Sequence, residues 1–268
     1  MLDADFLEQV WRIARQAGVA TLEHHRRDDL EVEHKADDSP VTAADLASQE
    51  QILAGLRELA PEIPWLAEEE ARGPGAAGRG ERLIWLVDPL DGTKEFIAGR
   101  DEFTVNIALV DRGEPLLGVV VAPALGRSYL GHVGRGAWRH EHEGEARQPI
   151  EATGTGDGEL VVVASRSHRG DELEAFLEQL PPYEVASIGS SLKLCLLAEG
   201  AADFYPRLTP TMEWDIAAAH AVLRAAGGAV EVYPGGGALR YDREDALNPY
   251  FIATCRRQVT WRPTAVEN

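Results

Sequence analysis

The sequence predicts an α+β protein whose second half is an α/β layer. Two patterns carry that expectation. The first half reads as paired amphipathic helices followed by strands that form hairpins, and the second half alternates short strand and helix patterns. At 268 residues the chain is long enough to bury a sizeable core, as one large domain or two small ones. The polar, glycine-containing stretch from Arg139 to Asp157 marks a boundary, which divides the chain into an N-terminal α+β domain, 1–148, and a C-terminal α/β domain, 149–268.

Each element has its own signal. Residues 3–23 form an amphipathic helix, with Leu7, Val10, Trp11, Ala14 and Gly18 on one face. His24 and His25, beside Arg26 and Arg27, read as its solvated end. Glu31 to Pro40 is a polar loop or hairpin. Thr42 starts a second helix, with Leu46, Leu53 and Leu56 on its apolar side, and Pro61 stops it. Asp45, three residues after Thr42, suits a capping box. Ile63 to Leu66 is a short apolar run ending in Glu68-Glu69-Glu70, and Arg72 to Gly80 is a surface loop. Leu83 to Val87 is a strand covered on both faces, and Pro89, with no N–H, should stop it near Asp88. Thr104–Val110 and Leu116–Val121 form a hairpin around Asp111-Arg112-Gly113-Glu114, and Tyr129 to Trp138 continues the strand pattern. In the second half, strands at Leu160–Ala164, Phe204-Tyr205, Ala229–Tyr233 and Phe251–Thr254 alternate with helices at Asp171–Leu180, Ser190–Glu199 and Ile216–Ala226. Asp215 stands where an N-cap would stand before the last helix.

Composition excludes several classes. A net charge of −19 argues against binding nucleic-acid polymers, which requires basic surface. No apolar run approaches the roughly 18 to 20 residues that span a bilayer, and the start of the chain is acidic rather than basic as in a signal peptide. Cys195 and Cys255 make no disulfide framework and suit two reduced thiols in a cytoplasmic protein.

One stretch concentrates chemistry: Trp85-Leu86-Val87-Asp88-Pro89-Leu90-Asp91-Gly92-Thr93-Lys94-Glu95-Phe96. It puts two carboxylates at the end of a buried strand, then a glycine that permits a sharp turn or a close ligand approach, then a hydroxyl. Closely spaced aspartates suit a hard cation, above all Mg²⁺. Asp, Pro and Gly are also ordinary turn residues, so spacing alone leaves both readings open.

The nonapeptide Asp88–Phe96 resembles the first signature of the inositol monophosphatase superfamily of metal-dependent phosphatases, and its Thr-Lys-Glu-Phe end resembles the CysQ branch, the 3'(2'),5'-bisphosphate nucleotidases. Similar matches lie at Lys35–Asp45, Glu68-Glu69, Ser165–His168, Ser187–Cys195 and Glu213–Gly228. The resemblance implies a layered α-β-α-β-α sandwich and two or three Mg²⁺ ions. It implies metal ligation by Glu68, Asp88, the Leu90 carbonyl, Asp91 and Asp215, with Glu69 as an alternative to Glu68. It makes Thr93 the hydroxyl that orients water and Asp45 its proton acceptor. Gly92 and Thr93 N–H groups, Lys94, Ser190, Ser191, Lys193, Arg207 and His168 become the candidates for holding a bisphosphorylated nucleotide. His220, mid-helix among alanines, reads as a packing residue.

The expected activity is Mg²⁺-dependent removal of the 3'-phosphate of adenosine 3',5'-bisphosphate, clearing a by-product of sulfate activation. Two other readings stay open: an inositol or sugar-phosphate monophosphatase, and a catalytically silent nucleotide- or metal-binding regulator. The setting expected is cytoplasmic; some members of the family sit peripherally at the inner face of the cell membrane. The sequence leaves the oligomeric state unassigned.

Overall fold

The computed structural model describes residues 4–27, 32–34, 40–69, 83–141, 146–164 and 171–256. Along the chain lie α1 (Ala4–Leu22), β1 (Val32–His34), β2 (Pro40–Thr42), α2 (Ala43–Leu59), β3 (Trp65–Ala67), β4 (Leu83–Asp91), α3 (Thr93–Ile97), β5 (Thr104–Asp111), β6 (Glu114–Ala122), β7 (Arg127–His132), β8 (Gly136–Glu141) and β9 (Gln148–Ile150). These are followed by β10 (Leu160–Ala164), α4 (Asp171–Leu177), β11 (Tyr183–Ser187), α5 (Leu192–Ala198), β12 (Phe204–Arg207), α6 (Glu213–Ala225), β13 (Ala229–Val232) and β14 (Phe251–Thr254). One sheet has seven strands in sequence order from β3 to β9, antiparallel except for the β3–β4 pair. A second has five, in the order β11-β10-β12-β14-β13, with β10 parallel to both its neighbours, and β1 and β2 pair antiparallel as a separate ribbon.

Alternation along the strands decides the layers. Trp85 and Val87 of β4, Ile107 and Leu109 of β5, and Val119 and Val121 of β6 pack on Val10, Trp11, Ile52 and Leu56 of α1 and α2. Their neighbours Ile84, Leu86, Ala108, Val110, Val120 and Ala122 face the other way, onto α5 and α6 and onto Val163, Tyr205 and Phe251 of the second sheet. Leu160, Val162, Phe204 and Ile252 cover the far face of that sheet with Leu173, Phe176 and Leu177 of α4. The result is the α-β-α-β-α sandwich that the resemblance implied.

α6 lies unusually close to the first sheet. A Cβ on Gly118 of β6 would stand 2.0 Å from the Ala218 carbonyl oxygen, and one on Gly131 of β7 would stand 2.5 Å from Val222 Cα. These two glycines let a helix backbone rest directly on strand backbones, so the start of α6 is set against the end of β4.

The structure corrects several sequence expectations. β4 does not stop near Asp88: pairing with β5 is interrupted after Asp88↔Asn106 and resumes at Asp91↔Thr104. Pro89 falls in the interruption, where its missing N–H costs no ladder bond. Asp215 is not an N-cap. α6 begins two residues earlier with Met212 as its cap, and the Asp215 carboxylate reaches back to accept the Met212 N–H at 2.8 Å. Ser191 occupies the N-cap position of α5 without a side-chain cap. The polar stretch from Arg139 holds the end of β8 and all of β9, which extend the first sheet. His25 is not solvated; its ring packs on Phe96 and Phe103, with centroids 5.2 and 4.9 Å away. Cys195 and Cys255 are both buried, and Cys255 Sγ lies 3.7 Å from Asp203 Oδ1. Among the described residues no helix is long and apolar enough to cross a membrane.

Candidate active site

The site grows from the interruption in β4. Gly92 turns the chain at φ +95°, and a Cβ there would meet the Glu102 carbonyl at 3.2 Å, so both torsion and space require glycine. α3 follows at once, and its Phe96 packs with Phe103, Leu90 and Ala44 beneath the turn. This small core holds Asp88, Asp91 and Thr93 at the floor of a cleft of about 290 Å³, which Glu68 and Asp215 also line.

Four carboxylates from three segments therefore share one space. Burial pushes Asp88 well above the usual carboxylate range, and Glu68, Asp91 and Asp215 push it further. Asp215 is raised by burial and by Asp91 and Glu68, against the pull of the Met212 N–H. Burial raises Asp91 to about 6, although Lys193 and the Ser191 N–H pull it down. Among the described residues, no three His, Cys, Asp or Glu side chains are grouped closely enough to hold a metal ion. The oxygens are turned to local partners instead: Asp88 to Glu68 and the Leu90 N–H, Asp91 to the Ser191 N–H, Asp215 to Met212. The donor set is all hard oxygen and crowds four carboxylates into one space, which fits a hard divalent cation.

Asp45 forms the capping box that the sequence suggested and also lies beside Thr93. Its Oδ2 accepts the Thr42 N–H at 2.8 Å and the Thr42 hydroxyl at 2.7 Å, closing a capping box. Its Oδ1 lies 3.4 Å from Thr93 Oγ1, which is also 3.3 Å from the Leu90 carbonyl oxygen. Glu68 lines the cleft, whereas the Glu69 N–H is held by Gln49 Oε1 at 3.0 Å.

The cleft also holds cations. Lys193 is buried and lowered to about 8 by that burial, with Asp91 acting against the shift, and its Nζ donates to the Ser190 carbonyl at 2.8 Å. Arg207 lines the same cleft and donates to the Pro210 carbonyl at 3.2 Å. Exposed Lys94 lines the cleft as well, together with Gly92, Ser190 and Ser191. The Ser191 hydroxyl is turned inward, to Asn106 Oδ1 and Thr104 Oγ1, each at 2.9 Å. His168 lies outside the described residues. Tyr205 and Thr211 also line the cleft with no sequence signal for a site, as does Glu95, which lies within the Asp88–Phe96 signature but was given no role there. His220 is the packing residue expected, neutral and bonded to the Tyr241 hydroxyl at 2.7 Å.

The chain belongs to the inositol monophosphatase family, whose profile matches residues 4–260. Within that family its likeness is to the CysQ branch. It is 47% identical to the 3'(2'),5'-bisphosphate nucleotidase CysQ of Salmonella typhimurium, over 92% of this chain and 99% of that protein. The corresponding protein of Escherichia coli K12 is 46% identical, over 91% and 98% of the two chains. The crystal structure of CysQ from Bacteroides thetaiotaomicron superposes with a TM-score of 0.80 at 39% identity, covering 94% of this chain and 97% of that one.

Proposed function

We infer that this chain is a 3'(2'),5'-bisphosphate nucleotidase, the activity that names its CysQ relatives, and we propose that it converts adenosine 3',5'-bisphosphate to AMP and phosphate with Mg²⁺. The observation that carries the substrate reading is the polarity of the cleft. Glu68, Asp88, Asp91 and Asp215 line it beside the buried cation Lys193 and the guanidinium of Arg207. A substrate with one phosphate needs only the carboxylates and their metals; a second phosphate would engage Lys193 and Arg207 as well.

Glu68, Asp88, the Leu90 carbonyl, Asp91 and Asp215 would hold two or three Mg²⁺ ions, which supply Lewis-acid charge for the phosphoryl oxygens and for activation of water. The Thr93 hydroxyl orients the attacking water, with Asp45 Oδ1 beside it to accept a proton. The Gly92 and Thr93 N–H groups and Lys94 fix the 3'-phosphate. Water attacks phosphorus, the P–O3' bond breaks, and the ribose oxygen leaves as the alcohol. Lys193 and Arg207 hold the 5'-phosphate, and Ser190 is assigned to that phosphate or the ribose. In this reading residues 1–148 carry most of the metal donors and residues 149–268 complete the site with Asp215, Lys193 and Arg207. The reaction would clear a by-product of sulfate activation in the cytoplasm, where buried thiols such as Cys195 and Cys255 persist.

Phosphate release from adenosine 3',5'-bisphosphate and from inositol 1-phosphate, each with and without Mg²⁺, tests the proposal. Mg²⁺-dependent turnover of the nucleotide should dominate. Preference for inositol 1-phosphate would make the chain a monophosphatase, and turnover of neither would make it a silent binder.

A further inference from the structure

Three residues of α2, Asp45, Ser48 and Gln49, stand at i, i+3 and i+4 and so share one helix face. All are buried, and each bonds to a different part of the site floor. Asp45 reaches Thr93. The Ser48 hydroxyl donates to the Pro89 carbonyl at 2.7 Å. Gln49 Oε1 accepts the Glu69 N–H at 3.0 Å.

The last two bonds fall where the sheet cannot supply its own. Pro89 lies in the interruption of the β4–β5 ladder, so its buried carbonyl has to find a donor elsewhere. Ser48 is that donor, and it ties down the segment joining Asp88 to Asp91. Glu68 follows β3, and its N–H bonds to the Val87 carbonyl at 3.2 Å. Gln49 takes the next N–H along the chain. The backbone is therefore held on both sides of the Glu68 Cα, and from there the side chain reaches Asp88.

We propose that Ser48 and Gln49 are positioning residues for cation binding: Gln49 sets where Glu68 stands, and Ser48 sets the Asp88–Asp91 segment. The inference rests on the reading of these carboxylates as metal donors. Residues that orient metal ligands commonly govern affinity by about 10- to 100-fold.

Calorimetric titration of Mg²⁺ into the metal-free full-length protein tests it. The variants are Gln49→Met, which keeps the length and loses the acceptor, Gln49→Glu, which restores the acceptor, and Ser48→Ala. Glu50→Gln, exposed on the same helix, is the control. Gln49→Met and Ser48→Ala should each weaken Mg²⁺ about tenfold or more, Gln49→Glu should recover most of the loss, and Glu50→Gln should match wild type. Melting temperatures in chelator separate positioning from simple destabilisation. If Gln49→Met and Ser48→Ala melt lower yet bind Mg²⁺ like wild type, the contacts are structural only and the inference is overturned. Should Gln49→Met not fold, unchanged affinity in Ser48→Ala overturns it alone. A wild-type protein that takes up no Mg²⁺ overturns the metal reading itself.

Discussion

Replacing Gly118 by alanine should damage the site from the far side of a helix. The added Cβ would stand 2.0 Å from the Ala218 oxygen, 2.8 Å from its carbonyl carbon and 2.9 Å from Ala221 Cβ, where ordinary contact begins at 3.4 Å. The first two neighbours are backbone, so no side chain can swing away. β6 and α6 must part by more than about 1 Å, at a cost typical of overpacking, roughly 1–3 kcal/mol. In a chain of this size each kcal/mol lowers the melting temperature by about 2–4 °C, so a fall of roughly 2–12 °C is expected. Ala218 lies in the same helix as Asp215, one turn later, so Asp215 moves with it. A displacement of about 1 Å at a reacting site can lower kcat/KM about 100-fold. Calorimetry and phosphate release measure both effects. Gly158→Ala is the comparison: among the described residues nothing beyond its chain neighbours lies within 4 Å of its added Cβ, and melting and activity should stay near wild type. Wild-type melting and turnover in Gly118→Ala would refute the direct seating of α6 on the sheet.

Further outcomes follow from the carboxylates. Asp91→Asn and Asp215→Asn should each remove most activity and weaken Mg²⁺, because an amide is a poor donor to a hard cation; normal turnover at limiting Mg²⁺ in both would contradict their role. Thr93→Ala should lower kcat with the metals still bound, and Asp45→Asn should resemble it. The double variant should cost little more than the worse single one, and losses that multiply would reduce Asp45 to a helix cap. In the metal-free protein Asp91 is raised from 3.8 to about 6, so its stability contribution is complete below 3.8 and is lost as pH rises through 6. A cation takes the place of that proton, so the rise in melting temperature given by Mg²⁺ should be small near pH 5 and reach its full size above about pH 7. A rise independent of pH would place the ion away from Asp91.

Much of the architecture could be read from the sequence because burial on both faces leaves continuous apolar runs such as Leu83–Val87 and Leu160–Ala164, and a buried helix face leaves the spacing of Leu7, Val10, Trp11 and Ala14. β11 was hidden for the opposite reason. Tyr183–Ser187 is an exposed edge strand with no apolar alternation, and it forms by pairing in parallel with β10. β4 was cut short because Pro89 stops an ordinary ladder, and nothing local revealed that Ser48, far back in the chain, would take its carbonyl. The carboxylates of the cleft stood out because aspartates at a strand end and a helix start recur in a named motif. The inward turn of the Ser191 hydroxyl, the burial of Lys193 and the supports from α2 are consequences of tertiary packing, which spacing does not encode.

We propose that the carboxylate side of the cleft cuts one particular phosphate while Lys193 and Arg207 hold the other. Phosphorus and proton NMR of the products from adenosine 3',5'-bisphosphate, with Mg²⁺ present, tests it most directly. The account predicts phosphate and adenosine 5'-monophosphate, with none of the 3'-monophosphate. Accumulation of adenosine 3'-monophosphate would show that the substrate lies the other way round in the cleft, and would contradict the assignment of Lys193 and Arg207 to the 5'-phosphate.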